Sequence, residues 1–505
     1  MSMYPGNRRA APRRRSRWLP TGALVAGSLV AGSLMGGAAG PTGVATARDL
    51  PFSTADWPAA AGRDGGPADD HHGQPDRRAG AGDGKRGDGH RDEGRTLLVP
   101  CDEARLIAAL VRANAEGGAT LRLAPECTYT LTHAFQQVDE YDGGLRDARE
   151  AADTAENPGD AEAAPRRPED DTAGLPVIYQ PIVVEGAGAT IVRDVHAENF
   201  RFFTVRDGGE LTLRDVTLRN GRSAAEGGSI HVVHGATAVV ERTTILGSTS
   251  LSAEGGGGGI FNDGNLVADG VTFIGNRAAG PAGKGGGLLN GGVLTLRNAD
   301  FRHNNAALYG GGLANFRAAS EVTSSRFARN TAAQGGGLAN FSARMKANGL
   351  ELTANTAEVG GGLANSDAVL VARGMAIRDN TATGKGGGIS TFQGLLPLDD
   401  SVVAGNVTRG QGGGIHAEKS NLLVRTSNVE GNEAAGSRSQ GAGVHVTSGT
   451  ASFYRSTVVG NAATGKPGGI FADRARVKVD DETVIVKNSP SNCEGSRIPV
   501  PHCFR

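Results

Sequence analysis

The sequence predicts an all-β fold: a right-handed, three-sided parallel β-helix of about 10–12 coils, with an N-terminal capping helix and disulfide-stapled ends. Three observations lead there. The hexapeptide GGGLAN recurs at 310–315, 335–340 and 360–365, every 25 positions. Aligned on its third residue, Gly259, Gly287, Gly312, Gly337, Gly362, Gly388, Gly414, Gly443 and Gly469 form one column, which Ser229 extends upstream. A second column reads Asn276, Asn304, Asn330, Asn355, Asn380, Asn406, Asn432 and Asn461, each preceded at three positions by an apolar residue, from Phe273 to Val458.

Between the columns lie alternating runs such as VLTLRNADF, in which Leu294, Leu296, Ala299 and Phe301 face one way and Thr295 and Arg297 the other. Each period then holds about three short strands, each spanning roughly 10–15 Å. No segment is long or helical enough for a βαβ unit, and neither the propeller period nor the leucine-rich pattern matches. Stacked at ~4.8 Å, equivalent residues lie above one another. The apolar columns fill the lumen, and the Asn column becomes a ladder in which each amide donates to and accepts from its neighbours. A shorter ladder is expected at Asn262, Asn290, Asn315, Asn340 and Asn365, ending at Thr391 and Ala417. The glycines are expected to turn a tight corner, by positive φ or close backbone approach.

Taken in order, residues 1–47 read as a signal peptide: six Arg, an apolar run from Trp18, then Ala45-Thr46-Ala47 as a small-x-small cleavage site. An uncleaved anchor is the alternative, and Arg14-Arg15 leaves the general and twin-arginine export routes both open. Residues 48–94 are rich in Gly, Asp and Arg, and read as a disordered linker in which His71, His72 and His90 are solvated. The β-helix is expected over 95–488. Its first helix follows Asp102, with Leu106, Ile107, Leu110 and Val111 on one face and Gly117-Gly118 as its stop. An acidic insertion, 136–173, carries twelve acids and four bases and reads as disordered. Residues 489–505 form a C-terminal disulfide cap. Cys101 with Cys127, and Cys493 with Cys503, are expected to pair locally in an oxidising compartment.

The pairing of FRHN (301–304) with GGGLAN (310–315) resembles the repeats of polymorphic outer-membrane proteins, of the pectin-lyase-like fold. The ends, CDEARLIAALVRANAEGGATLRLAPECTYTLT and NSPSNCEG…PHC, resemble those of secreted actinobacterial right-handed β-helix repeat proteins. The resemblance covers about 98–505 and implies a surface or extracellular adhesive role. The outer-membrane relatives continue into a C-terminal barrel. Nothing after the last coil here reads as one, so self-translocation is not expected.

The formal net charge of −1 on 505 residues argues against nucleic acid, and no membrane contact is expected after signal cleavage. Catalytic patterns are sparse. Asp399-Asp400 is the one Asp-Asp inside the regular ladder, and it reads as a turn. No column stacks three acids, no serine sits in a nucleophile elbow, and the Gly-Lys-Gly-Gly-Gly runs around Lys284 and Lys385 lack Walker spacing. No metal site and no cofactor are expected.

The candidate ligand site lies two positions after the third glycine. There Phe261, Leu289, Ala314, Ala339, Ala364 and Ser390 give way to His416, His445 and Phe471. Lys385, Arg409, Arg438 and Lys466 accompany them as a basic strip. Read as outward-facing, the set would bind an acidic glycan. The expected function is therefore a secreted, non-catalytic, adhesive or polysaccharide-binding β-helix. The alternative is a polysaccharide lyase or glycoside hydrolase acting on an acidic polymer, its carboxylates drawn from different coils.

Overall fold

Alternation decides which side chains enter the lumen. In the strand Val293–Arg297, Leu294 and Leu296 are buried while Val293 and Arg297 are exposed. The same pattern repeats down the molecule and stacks into parallel sheets. The computed structural model describes residues 95–135 and 172–504. The expected signal peptide, the linker and nearly all of the acidic insertion lie outside the described residues. Thr172 and Ala173, at the insertion's end, are described, and Ala173 bridges to Arg201.

The fold is a parallel β-solenoid built of 22-, 13- and 10-stranded sheets, with about 14 turns where about 10–12 were expected. The additional turns lie at the N-terminal end. Thr96–Val99, Ala119–Leu123, Pro181–Glu185 and Glu210–Arg214 stack in parallel register, although their sequences carry neither the glycine nor the Asn column. Their corners use other left-handed residues, among them Glu126, Ala187, Asp215 and Asn220.

The coils that begin at Gly310, Gly335, Gly360 and Gly386 each turn at four left-handed positions. In the coil that begins at Gly335 they are Gly335 (φ 65°), Ser342 (φ 48°), Gly349 (φ 62°) and Ala354 (φ 55°). These separate four short strands, Leu338–Phe341, Arg344–Asn348, Glu351–Thr353 and Thr356–Val359. The three glycines of the repeat serve different needs. Gly335 supplies the positive φ, whereas a Cβ on Gly336 would stand 2.4 Å from the Gly361 carbonyl of the next coil.

Phe273, Phe301 and Phe327 stack in the lumen at 4.4 and 4.7 Å, and the column continues through Leu352, Ile377, Val403, Val429 and Val458, all fully buried. Beside it runs the expected Asn ladder. Asn330 Nδ2 donates to Asn355 Oδ1 (3.1 Å) and to the Phe301 carbonyl (2.9 Å), and the Asn330 backbone N–H donates to the same Oδ1. The ladder runs past Asn461 to Asn488 and Asn492, whose Nδ2 donates to the Phe504 carbonyl. The second ladder links Asn262, Asn290, Asn315, Asn340 and Asn365 at 2.7–2.9 Å, then passes through Thr391 to Ser420. A third, of Ser401, Ser427, Ser456 and Thr483, was not expected; each hydroxyl accepts the backbone N–H one coil earlier.

Both ends are closed as expected. The helix Glu103–Ala115 is capped by Asp102, which accepts from the Arg105 N–H (2.9 Å), and it buries Leu106, Leu110 and Ala113. Disulfides join Cys101 to Cys127 and Cys493 to Cys503. The segment after Asn488 bonds to the last glycine strand through Ser491, Asn492 and Arg497. This covers backbone that would otherwise invite strand addition.

Candidate functional site

The strands that follow the glycines carry two kinds of residue. In Leu313–Phe316, Leu313 enters the lumen and Asn315 joins the second ladder. Ala314 and Phe316 lie on the outer face. Successive coils pair these positions in register, so Ala314, Ala339 and Ala364 form one column and Phe316, Phe341, Ser366 and Phe392 another. A third column arrives from the preceding strand end: Lys284, Tyr309, Gln334, Val359 and Lys385. The alanines are nonetheless buried.

In the earlier coils this face is an aromatic and cationic shelf. Phe316 and Phe341 stack at 5.3 Å with planes 10° apart, and Tyr309 meets Phe341 at 4.9 Å and Phe316 at 6.3 Å. Lys284 Nζ lies 5.0 Å above the Phe316 ring and donates to the Glu254 carbonyl. The Arg317 guanidinium covers Phe316 at 5.3 Å. Burial pulls the Lys284 amine below the usual lysine range, against the pull of Glu254 and Glu226. Burial likewise raises the Tyr309 phenol, helped by the Asp367 charge. All three rings remain half-buried. Where the chain turns the next corner, Arg317, Ser342, Arg344 and Asp367 line a shallow depression of about 310 Å³.

In the later coils the same face is covered. His416 and His445 stack at 5.2 Å, and His445 stacks on Phe471 at 4.7 Å. They stand outside the lumen, as expected, but are only 3%, 7% and 5% exposed, so their ring faces are not open to a sugar. Burial drives the His416 imidazole well below its ordinary range, with His445 and Lys385 adding to the effect. Burial and Lys385 take His445 down to about 4, against the opposing Asp473 charge.

The basic strip is on the surface. Lys385 pairs with Glu418 at 3.0 Å and Lys466 with Glu494 at 3.4 Å. Arg409 and Arg438 are exposed, and neither forms an ion pair among the described residues.

The Asp pair is engaged elsewhere. Arg425 grips Asp399 through two 2.6 Å bonds, and Asp400 accepts from Arg373 (3.0 Å) and Thr426 (2.6 Å). Asp400 occupies a left-handed corner at φ 48°, the turn placement expected for it. Among the described residues no three His, Cys, Asp or Glu side chains gather as metal ligands, and no helix is long and apolar enough to cross a membrane.

Sequence reasoning stopped one residue short of the shelf. The recurring run is GGGLANF, at 310–316 and 335–341, and its final Phe falls on the outer face by simple alternation. Tyr309 and Lys284 carry no comparable signal, because only the coil register brings them beside the rings.

No protein-family model matches the chain, and no curated protein matches it in sequence. Among solved structures it is similar to the A-module of the Azotobacter vinelandii mannuronan C-5 epimerase AlgE4. Identity is 12%, the TM-score 0.35, and 78% of this chain and 96% of that one are covered. It is also similar to PfbA, a surface adhesin of Streptococcus pneumoniae, at 10% identity and TM-score 0.29, over 76% of this chain and 87% of that one. Superpositions this loose say nothing about the site.

Proposed function

We propose that the protein binds a polysaccharide without transforming it, using the outer face of the glycine-flanked strands, and that it works outside the cell. The shelf of Tyr309, Phe316 and Phe341 with Lys284 and Arg317 carries this reading. The stacked, half-buried rings offer apolar edges to a sugar, while nearby charges and a polar depression suit its substituents. The engaged Asp399 and Asp400 support the non-catalytic form, since both are committed to corner ion pairs. The two disulfides support an oxidising, extracellular setting. Arg409 and Arg438 form a secondary basic line for an acidic polymer. His416, His445 and Phe471 hold the later coils together rather than touching ligand.

Retention on immobilised polyuronate, sulfated and neutral polysaccharides tests the reading. Replacing Tyr309 and Phe316 by Ala is expected to weaken retention about tenfold, the scale of two lost stacking contacts. Replacing Lys385, Arg409 and Lys466 by Ala is expected to lower only binding to acidic polymers, and more so at low salt. Unchanged retention in the aromatic variant overturns the shelf as the site.

A further inference from the structure

The outer aromatic column is interrupted once. Phe316 and Phe341 stack directly, one coil apart. Ser366 follows in register, and Phe392 follows Ser366. With coils ~4.8 Å apart, Phe341 and Phe392 are about 10 Å from each other. That leaves room over Ser366 for one ring at the stacking distance of roughly 4.5–7 Å from each neighbour. On the opposite side the residue at this level is Val359, too short to supply a ring. Gln334 takes, one coil later, the place of Tyr309, whose ring reaches Phe341. Lys419 closes the far side, its Nζ 5.4 Å above the Phe392 ring.

The groups around the gap are polar and unspent. Among the described residues, neither the Ser366 hydroxyl nor the Asp367 carboxylate has a hydrogen-bonding or ion-pair partner, and the Gln334 side-chain amide has none either. Asp367 also lines the adjoining depression.

We propose that this gap is a slot for a single pyranose unit, sandwiched between Phe341 and Phe392. Its hydroxyls meet Ser366, Asp367 and Gln334. The Asp367 carboxylate accepts hydrogen bonds from the hydroxyls of the seated sugar. The inference rests on the polysaccharide-binding reading above and names the subsite that selects the sugar.

The test fills the slot with the ring that the column lacks. The whole protein is passed over immobilised cellulose, xylan, α-1,3-glucan and polygalacturonate, and the polymer that retains it becomes the probe. Ser366→Phe is expected to fold with an unchanged or higher melting temperature, because it completes the stack, and to lose retention by about tenfold or more. Ser366→Ala is expected to stay within about twofold of the parent, having lost one neutral hydrogen bond. Phe392→Ala, which removes one wall, is expected to weaken retention about tenfold, and it serves if Ser366→Phe does not fold. A folded Ser366→Phe or Phe392→Ala that binds like the parent overturns the slot while leaving the shelf intact. A parent protein retained by no polymer overturns the polysaccharide reading itself.

Discussion

The coils from Lys284 to Ser366 and those from Ile389 to Asp473 share a backbone, two columns of lumen residues and the same Asn ladder. They differ in what stands on the outer face after the glycines. In the first region alanines form the floor and aromatic rings rise beside it, half exposed. In the second, imidazoles replace the alanines and fill the same space from below, while Lys385 and Glu418 bond across the top. A few side-chain volumes thus decide whether one scaffold presents an aromatic shelf or a sealed wall. The site is a property of the decoration and not of the fold.

If the scaffold is common to both regions, damage to the ladder should cost the same in each. Asn355→Leu strands the Asn330 backbone N–H and amide donor and the Phe327 carbonyl, and Asn432→Leu strands the Asn406 N–H and amide donor and the Val403 carbonyl, in a dry interior. Each is expected to lower stability by about 4 kcal/mol, read from urea unfolding. A cost that differed several-fold between the two would show that the regions are not built alike.

That equivalence is also where the sequence was most legible. Asn, Gly and Phe at fixed offsets each have one physical explanation in a stacked coil, so the column from Asn276 to Asn461 is legible in the sequence as a ladder. The ladder's last rungs are harder to read: Asn488 keeps the period, 27 residues after Asn461, but no glycine triplet follows it, and Asn492 comes only four residues later. The early coils are harder to read because no glycine triplet marks them and several of their corners turn on residues such as Asp215 and Asn220. The candidate site was harder to read. Alternation put His416 outside the lumen, but exposure depends on the length and path of the preceding strand end, which no column records. Tyr309 reaches Phe341 only because coil register sets residues 32 apart side by side.

Acid should separate the two regions. The His416 and His445 imidazoles titrate lower in the folded protein than the ordinary 6.5, His445 at about 4. Unfolding therefore takes up protons in this window. The stability that the neutral rings contribute is fully present above pH 6.5 and falls as pH drops from 6.5 toward 4. His445 alone accounts for about 3 kcal/mol of that loss. Lys385 and Asp473 face the rings with opposite signs, and Glu418 holds Lys385 in place. Hydrogen exchange at pH 7 and pH 4 is expected to show loss of protection around 410–450 and little change around 310–365. His445→Phe, which keeps the ring stack, should remove the share of the difference that His445 contributes and leave that of His416.

The smallest expected effect concerns the corners. Ala354 is left-handed at φ 55°, where the equivalent residues of later coils include Gly405, Gly431 and Gly460. Ala354→Gly is expected to stabilise by about 0.5–1 kcal/mol, seen as a higher urea midpoint. Gly405→Ala in the covered region should cost at least as much, since its Cβ would also meet the Asp379 carboxylate.

The Asn ladder has one further consequence. Every Nδ2 donates toward the C-terminus and every Oδ1 accepts from the N-terminal side, from Asn276 to Asn492. Each rung hands on the same connection that it receives. A whole coil can then be inserted or removed between two others without leaving a loose end, provided it runs in the same sense. Length is a free variable of this molecule, set by copy number as in a bar cut from stock. The reach of the proposed binding face can grow in ~4.8 Å increments while both caps stay as they are.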